Sequence, residues 1–221
     1  MKRFIWVLVA ILLFWAALGN FIFLGFRLRE TIAQTRQNLI AIVSNAALLI
    51  DVSALLQIPL EPSGDTQTSY QIVVGQLEKI KQSNPALKYV YIMTATDQPG
   101  VLQYVADADP APEIITAFSP RSLPGDKYDA HEFPELLKAY LEPGADKVIK
   151  ADTWGAFISA YAPIRDAGGQ PVAILGVDAQ ADDMIALQKQ VRWSGIFPPA
   201  ALVVFLIAIF RFFTSKNAGS F

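Results

Sequence analysis

The sequence contains no cysteine, which removes disulfides, thiolate metal sites and cysteine nucleophiles together. It contains one histidine, His131, and no G-x-S-x-G, H-E-x-x-H or phosphate-cradling glycine loop. No enzymatic activity is therefore expected, and no cofactor or metal. Formal charge is only −2, and no Lys/Arg cluster follows a groove-like pattern, so nucleic acid is not an expected partner. There is no internal repeat and no low-complexity tract. Charge itself is missing from two long runs, Phe4–Phe26 and Ser194–Phe210, and that absence organises the chain.

As a helix the first run extends roughly 34 Å, enough to cross a hydrocarbon core of about 30 Å. The second extends roughly 26 Å, with Arg211 able to snorkel and Phe212–Phe213 lengthening the apolar stretch. Met1-Lys2-Arg3 is a basic start of the kind signal peptides carry, but the run outlasts a signal core of about 7–15 residues. An uncleaved anchor is the expectation, with the lipid bilayer as partner. The expected division is 1–3 cytoplasmic N-terminus, 4–26 first transmembrane helix, 27–193 extracytoplasmic domain, 194–213 second transmembrane helix and 214–221 cytoplasmic tail. Flanking positive charges nearly tie: Lys2, Arg3, Arg211 and Lys216 lie on one side, Arg27, Arg29, Arg36, Lys189 and Arg192 on the other. Orientation rests on long loops translocating largely regardless of charge.

Arg27 to about Ile58 lacks Gly and Pro and reads as one long helix. Ile32, Leu39, Val43, Ala46 and Ile50 form a coiled-coil-like seam, and Ile42, Leu49 and Leu56 a second line beside it. Either one face covers a sheet while the other meets a second copy, making a homodimer through the N-terminal helix, or both belong to one wide core-facing stripe. A polar loop, Pro59–Thr68, leads to a second helix over Ser69–Gln82, stopped by Asn84-Pro85. Strands are expected at Lys88–Ala95, Val101–Ala106, Asp146–Ala151, Ala156–Ile164 and Pro171–Val177, with turns at Asp97–Gly100 and Asp166–Gln170. Between Asp107 and Leu141 lies a proline-rich excursion with short helical pieces at Glu113–Phe118 and Phe133–Leu141, of a length typical of a lid or pocket wall. A helix begins at Asp182, and Pro198-Pro199 should interrupt its passage into the second span. The expected fold class is α+β: two transmembrane helices flank a five-stranded antiparallel sheet backed by the N-terminal helices.

One segment carries a resemblance. Trp154-Gly155-Ala156-Phe157-Ile158-Ser159-Ala160-Tyr161-Ala162-Pro163-Ile164-Arg165-Asp166, then Gly169 and Pro171 to Asp178, resembles the closing hairpin of extracytoplasmic PAS-like (single Cache, PDC-type) sensor domains. Leu123–Asp129 and Tyr89–Ile92 are similar to segments upstream in that family. Such domains sit between two membrane helices in bacterial histidine kinases, chemoreceptors and nucleotide cyclases. The resemblance implies a sensory protein of the bacterial inner membrane with a small organic or amino-acid-like ligand. It also implies a pocket between the sheet's concave face and the excursion. This sequence stops at Phe221, a short way past the second span, so the signal is expected to pass to a separate signalling or membrane partner, or the sequence is a fragment. A protein-docking or assembly subunit without a small ligand is the rival reading.

Candidate ligand-binding residues follow from strand alternation and chemistry. Tyr89 and Tyr91 share one strand face, as do Ser159 and Tyr161. Trp154 and Tyr104 add aromatic walls, and Arg121, Asp107 and Asp178 add charge to orient a polar ligand. Set against this, strand aromatics are mostly ordinary packing, and Asp178 equally suits a cap for the exit helix. His131 reads as a solvated loop residue rather than a pH switch. Asp107, Asp109, Glu113, Asp126, Asp129, Glu132 and Glu135 lack EF-hand spacing and read as a solvated acidic face rather than a calcium site.

Overall fold

A computed structural model describes residues 2–108, 122–152 and 155–217 of the 221-residue chain. The expected helical piece at Glu113–Phe118 lies outside the described residues. The chain divides into two compact units, Gln34–Asp182 and the paired terminal segments Met1–Ala33 and Asp183–Phe221.

The terminal unit is helical. Helix α1 runs unbroken over Lys2–Ala47, so the apolar run and the polar helix after it are one element. Helices α5 (Asp182–Ser194) and α6 (Phe197–Asn217) supply the other side. Two stretches, Val7–Ala47 and Asp182–Ile207, are long and apolar enough to cross a membrane. Leu12, Trp15, Val204 and Phe210 of this unit are all more than half exposed, as lipid-facing residues are. The break between α5 and α6 falls at Gly195, ahead of the prolines. Pro198 and Pro199 instead occupy the first turn of α6, where a missing N–H costs no helical hydrogen bond. Gly195 also lies under the Phe21 ring, which would stand 3.1 Å from any added Cβ.

The central unit is a sheet with helices on it. Its strands are β1 (Leu87–Ala95), β2 (Val101–Asp107), β3 (Lys127–Asp129), β4 (Gly144–Ala145), β5 (Lys150–Asp152), β6 (Gly155–Arg165) and β7 (Pro171–Gln180). They pair in the order β3-β2-β1-β7-β6-β4, with β5 also on β6, and every pairing is antiparallel. Of the expected strand over Asp146–Ala151 only Lys150 and Ala151 are extended, in β5; Asp146–Ile149 are irregular, and β4 is an addition just before them. β3 is the other addition, a three-residue edge too short to leave a period-two signature.

One face of the sheet is aliphatic: Val90 and Ile92, Leu175 and Val177, Ile158, Ala160 and Ile164 are buried. Helix α3 (Thr68–Ser83) lies along β1 and β2 through Tyr70, Val73, Leu77 and Ile80. On α1, Leu39, Val43 and Ala46 are buried and Ile42 is half-buried beside them. Ile50, buried, and Leu49 and Leu56, about two-thirds exposed, lie beyond the end of the helix, so of the expected second line only Ile42 belongs to α1. The long helix also ends earlier than its lack of Gly and Pro suggests. Asp51 starts a new helix α2 (Val52–Leu55), its side chain accepting from the Ala54 N–H at 3.0 Å. The Asp51 N–H itself donates to Gln76 Oε1 at 3.0 Å. A short polar residue that offers its own backbone a partner favours a cap over helix continuation.

Candidate functional site

The opposite face of the sheet is polar and aromatic, and strand register builds it. Asp107 of β2 pairs with Tyr91 of β1, Tyr91 with Gly176 of β7, Gly176 with Tyr161 of β6, and Tyr161 with Gly144 of β4. Residues directly opposite in a ladder share a face, so these form one row across five strands. Beside it runs a second row, Tyr89, Asp178 and Ser159. A bulge near Ile92/Met93 adds Tyr104: three residues from Asp107, it would otherwise point away, but the shifted register sets it opposite Met93.

Gly176 makes room at the centre. A Cβ there would stand 2.4 Å from Tyr91 Cε2, so the Tyr91 ring crosses the sheet over a residue with no side chain. Its hydroxyl thereby reaches Asp178 and donates to Oδ1 at 3.2 Å. The Ser159 hydroxyl stands beside Asp178 and Tyr161 and lowers the proton affinity of both. The Tyr161 hydroxyl donates to Asp146 Oδ2 at 3.2 Å. Polar groups thus line up as Tyr91–Asp178–Ser159–Tyr161–Asp146, with Tyr161, Ser159 and Asp146 all buried.

The electrostatics are those of carboxylates crowded together away from water. The Asp178 carboxyl is pushed up to about 7, first by its loss of solvent and further by Asp146 and Asp107, against the hydrogen bonds from Ser159 and Tyr91. Burial pushes the phenols of Tyr91, Tyr104 and Tyr161 above their usual range, with Asp178, Asp107 and Asp146 adding to the effect. All three tyrosines therefore stay protonated and available as donors at neutral pH.

Aromatic contacts extend the site sideways. Tyr91 and Tyr104 have ring centroids 5.8 Å apart, Tyr104 and Tyr128 6.2 Å, and Tyr128 and Phe133 5.5 Å. Beneath them Met93, Leu102, Ile174, Leu136 and Ala139 make a buried apolar floor. Helix α4 (Pro134–Lys138) closes that end through Leu136. One end of the face is thus an aromatic and aliphatic wall, the other a patch of carboxylates and hydroxyls.

Of the nine residues singled out from sequence, Tyr91, Tyr104, Asp107, Ser159, Tyr161 and Asp178 converge here. Tyr89 stands at the margin, its ring 5.4 Å from that of Phe157 with the Lys81 and Lys88 ammonium groups within 6 Å. Arg121 and Trp154 lie outside the described residues. Asp178 does not cap the exit helix: it lies inside β7, and its side chain serves Tyr91 and Ser159. Sequence reasoning missed Asp146 and Tyr128. Asp146 sits in the irregular turn after β4, where no periodicity marks which way a side chain points.

The acidic residues of the excursion do not form one face. Asp107 is buried in the site, Asp126 accepts from the Leu123 N–H at 2.8 Å, and Glu135 pairs with Lys147 at 3.1 Å. Asp109 and Glu113 lie outside the described residues. His131 is exposed, with Nδ1 2.6 Å from Asp129 Oδ1. The His131 N–H and ring hold the Asp129 carboxyl below its usual range. Among the described residues no group of three His, Asp or Glu is placed to hold a metal ion.

No protein-family model and no curated protein matches the chain. Solved structures are similar to it. The sensor domain of the V. cholerae histidine kinase DctB matches with a TM-score of 0.50 at 12% identity, over 79% of this chain and 58% of that one. The ligand-binding domain of the Campylobacter jejuni chemoreceptor Tlp3 in complex with 4-methylisoleucine matches with a TM-score of 0.46 at 16% identity, over 79% and 63%. The E. coli DcuS sensor domain matches with a TM-score of 0.43 at 10% identity, over 74% and 98%. The chain thus spans less than two thirds of the length of the DctB and Tlp3 domains. At such identities the likeness is one of fold. In its strand order, its helix-backed sheet and its likeness to the DctB sensor domain, the central unit has the fold of PAS-like, Cache (PDC-type) sensor domains.

Proposed function

We propose that this protein is a membrane-anchored sensor that binds a small organic ligand bearing a protonated amine, such as an amino acid, on the polar face of its sheet. The observation that carries this reading is the convergence of Asp107, Asp146 and Asp178 with tyrosine hydroxyls beside an aromatic wall. Carboxylates held together away from water raise one another's proton affinity, and a cation placed among them relieves that repulsion. An ammonium group supplies the charge with hydrogen-bond donors, and the Tyr104–Tyr128–Phe133 wall suits an apolar body. The two apolar helices hold the domain at the bacterial inner membrane, with the central unit outside the cytoplasm. A second copy packs on the N-terminal helix and on the exposed Leu49 just past its end. Ligand binding shifts the balance between two helix poses, which the membrane helices relay to an output partner. The chemistry is binding without catalysis.

The test is a calorimetric and thermal-shift panel on the full chain in lipid nanodiscs, using alkylamines, free amino acids, their N-acetyl counterparts and organic acids. Free amines and amino acids should bind and the N-acetyl forms should not. Because the cation favours ionised Asp178, affinity should rise by up to about tenfold per pH unit below 7 and level off above it. A panel without a single stabiliser, with a copurifying protein partner instead, would favour the docking-subunit reading.

A further inference from the structure

The row of polar groups does not stop at Asp146, whose carboxylate accepts from Tyr161. Its backbone is gripped from the far side by Arg36 of α1, whose Nε donates to the Asp146 carbonyl and whose Nη2 donates to the Ala145 carbonyl, both at 2.8 Å. Meanwhile the Asp146 N–H donates to the Ser159 carbonyl at 2.9 Å. Asp146 therefore has its carbonyl on α1, its amide on β6 and its carboxylate on Tyr161. On α1, Arg36 stands three residues before Leu39 and seven before Val43, on the line of the buried stripe. A charged residue on a sheet-facing line needs partners there, and the last carbonyl of β4, on Ala145, and the next one, on Asp146, provide two.

We propose that Arg36 is a positioning residue for the carboxylate cluster, fixing Asp146 from the N-terminal helix so that the placement of the cluster and that of α1 on the sheet edge change together. This rests on the cluster being the ligand site. A ligand that draws the Asp146 carboxylate toward itself moves a peptide unit held by a two-point guanidinium fork. The helix must follow, or the fork must open. Two parallel donors fix direction as well as distance, which a lysine ammonium does not. α1 continues without a break to Lys2, so movement begins in the element that contains the first apolar run.

The test titrates Asp178 by carboxyl ¹³C NMR in the full chain in nanodiscs, without ligand. The groups facing Asp178 are Tyr91 on β1, Tyr104 and Asp107 on β2, Asp146 after β4, and Ser159 and Tyr161 on β6, with Tyr128 on β3 next to Tyr91, Tyr104 and Tyr161. Arg36→Lys keeps the charge and loses the fork. If Arg36 positions Asp146, the Asp178 midpoint should fall by roughly half a pH unit or more, as Asp146 drifts off and water enters. Arg165→Lys is the control, because Arg165 also grips two carbonyls, Gly169 at 3.0 Å and Leu141 at 2.8 Å, at an exposed site. It should leave the midpoint in place. An unmoved midpoint in Arg36→Lys, with stability lowered as in Arg165→Lys, would make Arg36 an edge clamp only and overturn the proposal. So would an upward shift in Arg36→Ala with none in Arg36→Lys, which would mean action by charge alone. These readings need no ligand, so an empty amine panel defeats the site reading, whereas an unmoved midpoint defeats the positioning role even if amines bind.

Discussion

Asp178 shows how one carboxyl turns packing into a pH response. Its ordinary value is about 3.9, and in the folded chain it is raised to about 7. Between those values the folded state holds a proton that the unfolded state has released. Stability therefore falls as pH rises from about 4 through about 7, by at most about 4 kcal/mol from this group, and is level above. Asp178→Asn should remove that slope and make the chain more stable than wild type at pH 8, as urea titrations at pH 5 and pH 8 would measure. An undiminished slope would place its source elsewhere. Tyr91 acts in the opposite sense, because its hydroxyl favours the ionised carboxylate. Tyr91→Phe should raise the Asp178 midpoint in a carboxyl NMR titration, and Gly176→Ala should do the same by displacing the ring. The candidate site was legible at this scale wherever strand alternation applied, as for Tyr91, Ser159 and Tyr161. It was illegible at Asp146, whose side-chain direction is set by the Arg36 fork and the Ser159 carbonyl.

Helix α1 buries one apolar line, and the chain just past its end exposes Leu49. Leu39→Ala, on the buried line, should cost about 2–5 kcal/mol through lost burial and the cavity left behind. Leu49→Glu, at the exposed turn just past the helix, should leave folding stability within about 0.5 kcal/mol but convert a dimer to a monomer in analytical ultracentrifugation of the nanodisc-free full chain in detergent. A Leu49→Glu chain that stays dimeric would move the copy interface off this face. Periodicity revealed the buried line, because helical spacing is local, but the second line ran on past the point where the helix ends. Element ends were less legible. α1 stops at Ala47, ahead of the Asp51 cap that starts α2, and the exit helix breaks at Gly195, whose close approach to Phe21 leaves little space for a side chain. A residue-type rule that watches only for proline places both ends too late.

Across the whole molecule, the lack of cysteine is an experimental advantage, since a single introduced thiol has no competitor. Asp97→Cys, on the exposed β1–β2 turn, should react with a membrane-impermeant maleimide in intact cells if the central unit lies outside the cytoplasm. Labelling only after lysis would reverse the orientation. Steric protection would instead suppress labelling both before and after lysis, and a second reporter, Gln82→Cys at the exposed end of α3, separates that case. The near tie in flanking charge makes this measurement decisive for topology.

Sequence by itself determined the layout: two uncharged runs around one domain, helices where apolar residues recur every three or four positions, and strands where they alternate. These are properties of neighbours along the chain. Tertiary structure decided what no local pattern holds. A bulge turned Tyr104 onto the same face as Asp107, a glycine on one strand opened the path for a tyrosine from the next, and Asp146 joined Asp178 from the far edge of the sheet. Arg36, a polar residue on an apolar line, became meaningful only once β4 supplied the carbonyls it grips. Proximity between residues distant in sequence sets both the proton affinity of Asp178 and its link to the helix, and only the folded chain creates it.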